Sequence, residues 1–225
     1  PWSLAKRRDE PAAEERLATS LYHLAEILRI AANALAPFLP ATAEAIGTAL
    51  GVSAPLYGLA EEDLWLHSAA ASLAVKALQK ERPRAGIPET ASIAALVHDI
   101  GKLVMVRFLK ADVKQILALR DARNIAFVEA ERELFGCDHA EVGAEMARRW
   151  GFPDDITAAI EQHHMVPVPE AAPTTDAVVI ANLAAKAIGT GLGAEGMDLR
   201  LDEQVNRRLK LDFPGFSRVC IQTMT

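Results

Sequence analysis

The run His98-Asp99-Ile100-Gly101-Lys102, inside Ala94–Lys102, sets an imidazole nitrogen beside a carboxylate. One neutral nitrogen and one hard anionic oxygen suit a divalent metal that acts on phosphate. Four further histidines, His67, His139, His163 and His164, could complete such a site. The chain has six histidines in all, so only His23 stands outside this constellation, and scatter explains it poorly. The competing reading is a polar core network in which His98 and Asp99 hydrogen-bond each other and neighbouring helices. Lys102 lies one helical turn past Asp99, where its ammonium could reach a phosphate oxygen; the alternative is a solvated surface lysine.

Other chemistries leave no mark. The chain carries no glycine-rich phosphate loop, no Ser-His-Asp order and no activated-cysteine signature. Cys137 and Cys220 are far apart and in no metal-type spacing, which reads as free thiols in a reducing compartment. The 225 residues are 51% hydrophobic, enough for a sizeable core, and carry a net charge of −6. A general nucleic-acid surface would be basic, so nucleic-acid binding is not expected. The chain opens with Pro1 and a charged stretch instead of a signal peptide, and its apolar runs, such as Ile93–Val97, are far too short to span a membrane. A soluble cytoplasmic protein is expected.

The elements that must position these residues all read as helices. Leu17, Leu21, Leu24, Leu28, Ala31 and Leu35 line one face of a long amphipathic helix, ended by Pro37 and Pro40. Thr42 to Leu50 makes a second, shorter helix that Gly51 can stop, giving a hairpin whose apolar face needs a partner. A helix from about Glu61 to Lys80 carries His67 beside Ala70, Ala71 and Ala74, and Arg82–Pro88 is a loop. Thr90 can cap the next helix, which reaches His98-Asp99 and continues through Lys102–Leu109. Further helices are expected at Val113–Arg123, Phe127–Leu134, His139–Trp150, Asp154–His163, Asp176–Ile188 and Asp202–Leu209. Phe213–Thr225 is too short to assign. Trp65, Phe135 and Trp150 read as core anchors, and Glu131 and Glu133 as helix-face carboxylates. The fold class is all-α.

Two resemblances run along the chain. Tyr57-Gly58-Leu59, Leu64-Trp65, His67-Ser68, the His98–Lys102 run, Glu131–Gly136 running into Asp138–Ala144, Trp150–Pro153 and His163-His164 resemble the HD-related output domain, HDOD. That family is an all-helical relative of the HD and HD-GYP metal phosphohydrolases, found in bacterial signalling proteins. The resemblance covers about residue 54 to the C-terminus. The first 53 residues, through Pro1–Lys6, Leu21–Ile30, Ala36–Pro40 and Leu50-Gly51, resemble part of the helical anticodon-binding region of methionyl-tRNA synthetase. The catalytic half of a synthetase, with its HIGH and KMSKS signatures, is absent. Two truncated fragments meeting near Gly51–Ala54 point to a recombined or engineered chimera. The expected architecture is a multi-helix HD-domain-like bundle (54–225) with the N-terminal hairpin (1–53) packed on it. With five Lys/Arg against six Asp/Glu, the 1–53 segment is a poor candidate for tRNA binding.

The resemblance also implies a ligand set. His67 matches the first metal ligand of the HD families, His98 and Asp99 the pair, and Asn182 stands where a final Asp is expected. An amide oxygen is a neutral and weaker ligand than a carboxylate. His139, His163 and His164 match the second metal position of the HD-GYP relatives; core hydrogen bonding or helix-end interactions are the alternative. The metal would be Mn, Fe, Ni, Zn or Mg. After His164 the chain reads Met165-Val166-Pro167-Val168-Pro169, with no Gly-Tyr-Pro signature, so cyclic-dinucleotide hydrolysis is not implied. The reading chosen is a non-catalytic signalling, output or scaffold module with signalling proteins as partners. The alternative is a metal-dependent phosphohydrolase with Lys102 on the phosphate.

Overall fold

A computed structural model describes residues 61–109, 113–165, 172–190 and 203–225. The chain divides into two compact units, Pro1–Ala54 and Pro55–Thr225, and the described residues all belong to the second. The expected 17–50 hairpin and its packing lie outside them. Among the described residues every regular element is a helix: α1 (Glu61–Glu81), α2 (Thr90–Val97), α3 (Ile100–Leu109), α4 (Val113–Arg123), α5 (Phe127–Phe135), α6 (His139–Arg149), α7 (Asp154–Gln162), α8 (Pro173–Ala187), α9 (Glu203–Leu209) and α10 (Phe213–Thr223). The unassigned tail is therefore helical. Asp212 caps it by accepting the Gly215 amide at 2.8 Å, and Pro214 lies in its first turn.

α8 runs through the middle of this unit, buried along nearly its whole length, and packs against α1, α2, α7 and α10. Small side chains bring these helices together: Ala70, Ala71, Ala74 and Ala77 of α1 meet Ala177, Ala181, Ala184 and Ala185 of α8 in one core. Leu78, Val75, Ile160, Ile180 and Val219 fill what the alanines leave. A second, smaller core joins α3 to the α4–α5 hairpin through Met105, Ile116, Phe127 and Ala130. At the crossing of α3 and α6 two glycines face each other. A Cβ on Gly101 would collide with the backbone of His139 and Gly143, so only glycine permits this approach.

The helix expected to run unbroken from Thr90 to Leu109 is divided, with α2 ending at Val97 and α3 beginning at Ile100. The ring Nδ1 of His98 takes the Ala95 carbonyl at 2.7 Å, the acceptor that a continuing helix would give to the amide of Asp99. Thr90 is the first residue of α2 and not its cap. Its hydroxyl donates to Asp155 Oδ2 at 2.9 Å, tying α2 to the first turn of α7. Trp65 is buried as expected, but Trp150, at the end of α6, is 48% exposed and stacks near Phe152 instead of anchoring the core.

Candidate metal centre

Asp99 lies at the helix break, and the side chains singled out in the sequence converge on it. Its two oxygens face different histidines. Oδ2 lies 3.7 Å from His67 Nε2 and 3.4 Å from His98 Nε2. Oδ1 lies 3.4 Å from His139 Nε2 and 3.5 Å from His163 Nε2. His164 Nε2 is 2.9 Å from His139 Nε2, and Asn182 Oδ1 is 3.0 Å from His67 Nε2. Two overlapping donor groups result: His67, His98 and Asp99 on one side, and Asp99, His139, His163 and His164 on the other. Metal–ligand bonds of about 2.0–2.2 Å put neighbouring donors roughly 3.0–3.6 Å apart. The contacts given above, 2.9 to 3.7 Å, bracket that range, and within each group all the donors lie within 4.8 Å of one another.

The local sequence aims these rings. His98 and His163 are the C-terminal caps of α2 and α7, and each bonds the carbonyl three residues back through Nδ1, Ala95 at 2.7 Å and Ile160 at 2.7 Å. A ring that donates through Nδ1 holds a lone pair on Nε2. Burial pushes both imidazoles below their ordinary pKa, His98 well below, so both are neutral. His98 Nε2, His163 Nε2 and Asp99 Oδ1 are all buried and none has a hydrogen-bond partner. Two imidazole lone pairs beside an anionic oxygen make a donor set that suits a cation.

His139 is oriented differently. Asp138 caps α6 by accepting the Glu141 amide at 2.8 Å, which sets His139 as the first residue of that helix. Glu131 on α5 is fully buried, and its Oε2 accepts from both His139 Nδ1 at 2.7 Å and the His139 amide at 3.2 Å. Burial lowers the His139 imidazole, but the Glu131 carboxylate outweighs it and raises the group to about 9. Glu131 is thus not the helix-face carboxylate expected. It is the kind of outer partner that fixes a metal-bound histidine. Its eight-residue separation from His139 across a turn gave no periodic signal. Glu133 does lie on an exposed face, paired with Arg123.

Lys102 is buried at 3% exposure, which excludes the solvated surface lysine. Its Nζ donates to Asp99 Oδ2 at 2.7 Å. Burial pushes the Asp99 carboxyl up, but the positive charge facing it, the Lys102 ammonium above all, outweighs this and holds it well below the ordinary carboxylate range. Asp99 is therefore ionised. Of the whole cluster only His164 is partly exposed; His67, His98, Asp99, Lys102, His139, His163 and Asn182 are buried.

Comparison with known proteins gives this arrangement a lineage. One similarity is of another kind: Bacillus subtilis methionine–tRNA ligase is 51% identical over 53 residues, 24% of this chain, a length that fits the segment 1–53. This covers 8% of the ligase, and an uncharacterized Treponema pallidum protein, 29% identical over 93 residues, is covered to 18%, so the chain spans a small part of these curated relatives. Among solved structures, an HDOD domain protein of unknown function from Geobacter sulfurreducens matches 99% of this chain and 81% of its own at 23% identity, with a TM-score of 0.54. A candidate phosphohydrolase from Shewanella amazonensis matches 99% and 89% at 20% identity, with a TM-score of 0.56. A response regulator from Methylococcus capsulatus matches 81% and 72% at 19% identity, with a TM-score of 0.55. Identities this low show the fold alone. The HDOD domain profile matches residues 42–166, starting twelve residues before the boundary expected from the motifs. On that match, with the all-helical fold and the HD run in its place, the chain belongs to the HDOD domain family.

Proposed function

We propose that this chain is a non-catalytic signalling module of HDOD type whose buried His/Asp centre holds a divalent ion as part of the fold. The observation that carries the reading is the convergence of unpaired His98 Nε2, His163 Nε2 and Asp99 Oδ1 in a cluster closed to solvent except at His164. Structural metal sites are closed in this way, whereas catalytic ones keep an open position for water or substrate. A bound Mn, Fe, Ni, Zn or Mg ion would neutralise Asp99 and tie together the helices around it. His67, His98, Asp99 and Asn182 are the donors on one side, and His139, His163 and His164 those on the other. Output passes to signalling proteins through the helical surface, as the named roles of the structural neighbours suggest. The module works in the cytoplasm, and the synthetase-like segment joined to it near residues 51–54, by recombination or engineering, contributes no aminoacylation.

A second reading, a metal-dependent phosphohydrolase, draws on one observation. Asp99 offers one oxygen to each of two histidine groups, the layout of paired-metal sites that activate water against a phosphoester. Lys102 would then meet the phosphate. Two measurements separate the readings: metal content by elemental emission, and hydrolysis of bis-p-nitrophenyl phosphate and cyclic dinucleotides with added Mn²⁺. The module reading expects near-stoichiometric metal that disappears in Asp99→Ala, and no metal-dependent turnover. Turnover that requires metal and vanishes in His98→Ala would replace it with the hydrolase. Absence of metal would remove the ion from both.

A further inference from the structure

The two oxygens of Asp99 are not equivalent, and this bears on how many ions the centre takes. On the Oδ2 side the buried Lys102 ammonium already donates at 2.7 Å, closer than either His67 Nε2 or His98 Nε2. An ion bound to that oxygen at about 2.1 Å would lie within roughly 4.8 Å of Nζ, two like charges held in a buried site. The remaining donor there, Asn182, is neutral, and its Oδ1 is engaged with His67 Nε2 at 3.0 Å. The charge of Asp99 is thus matched by Lys102 with no metal present. Of this side's donors only His98 Nε2 is left unpaired, and one imidazole holds an ion weakly against an ammonium on the shared oxygen.

The Oδ1 side is built the other way. Oδ1 and His163 Nε2 are both buried and unpaired. His139 is backed by the buried Glu131 carboxylate, a second negative charge that the Oδ2 side lacks. His164 adds a fourth donor at the partly exposed edge; its Nε2 shares a hydrogen bond with His139 Nε2 at 2.9 Å, and an entering ion would displace that proton.

We infer that Lys102 stands in for a cation on the His67–His98 side of Asp99, so the centre takes one divalent ion per chain, held by Asp99 Oδ1, His139, His163 and His164. This rests on the metal reading above. The test loads chelator-stripped protein with Mn²⁺, removes the excess and measures metal per chain by elemental emission and paramagnetic resonance. The parent should hold one uncoupled Mn²⁺, lost in His164→Ala and kept in His67→Ala. Lys102→Met, which removes the charge and keeps the stem, should hold two. Two ions sharing the Asp99 carboxylate should give a spin-coupled signal. Two ions in the parent, one ion lost in His67→Ala and kept in His164→Ala, or a folded Lys102→Met that still takes one, would each overturn the inference and leave the metal reading standing. An empty parent defeats the metal reading and the inference with it. Should Lys102→Met fail to fold by circular dichroism, the His67→Ala and His164→Ala pair decides by itself.

Discussion

Gly101→Ala is expected to weaken the fold and empty the centre in one step. A Cβ at position 101 would fall on the His139 carbonyl oxygen, 2.7 Å from Gly143 N and 2.8 Å from His139 C. These are backbone atoms, so no rotamer change relieves the clash, and α3 and α6 must part. Restoring the 3.4 Å at which ordinary contact begins needs about 0.7 Å from Gly143, and more to clear the oxygen. Overpacking costs about 1–3 kcal/mol, with a backbone collision at the upper end. The better helix propensity of alanine returns about 1 kcal/mol. A net loss of about 2 kcal/mol lowers the melting temperature by roughly 4–8 °C in a chain of this size. The same displacement moves His139 relative to Asp99, while metal sites tolerate ligand-distance errors of about 0.2 Å. The assay is a thermal melt together with elemental analysis. Gly86→Ala is the control: its φ of +68° makes alanine strained there, by about 1–2 kcal/mol, but its Cβ meets nothing and the site is untouched. A Gly101→Ala protein that melts at or above the parent, or melts lower with full metal content, would refute the reasoning.

Three further substitutions probe other parts of the structure. Glu131→Gln keeps an acceptor for the His139 amide but removes the charge behind the ring; metal affinity in a titration should fall about 10–100-fold, as for other outer partners of metal-bound histidines. Asn182→Asp places an anion beside His67, so added Mn²⁺ should raise its melting temperature more than that of the parent; each tenfold gain in affinity adds about 1.4 kcal/mol. Equal shifts would show that an anion at 182 does not let the His67–His98 side take an ion. Arg208→Met leaves the buried Asp176 carboxylate without its two-bond partner, at 2.7 Å for each bond. The expected cost is about 2–3 kcal/mol, discounted because Arg208 itself is partly exposed, with metal content unchanged.

The helices were largely legible because their periodicity is strong: Val113–Arg123 was placed to the residue, and most other ends within one or two. The gathering of His67, His98, Asp99, His139, His163 and His164 also followed from residue types and order. What escaped depended on side chains that act against the local pattern. The apolar spacing runs through His98-Asp99 without interruption, so the break there, where the His98 ring bonds Ala95 O, left no trace. Lys102 looked like a surface residue because only tertiary packing supplies the carboxylate that lets it be buried. Glu131 looked like any helical glutamate, since its partner lies across a turn on another helix. Trp150 looks like an anchor from its size, yet it sits just past the last turn of α6 with its ring turned half to solvent, while Ala147 before it and Phe152 after it meet the core.

A single oxygen, Glu131 Oε2, accepts both the first amide of α6 and the ring proton of its first side chain. Winding of that helix and aiming of its imidazole are therefore one cooperative event. Any occupant of the ring's far nitrogen will be felt as tighter closure of the α5–α6 corner. Hydrogen exchange at the His139 amide then becomes a gauge of the centre, readable without substituting any of the residues that form it.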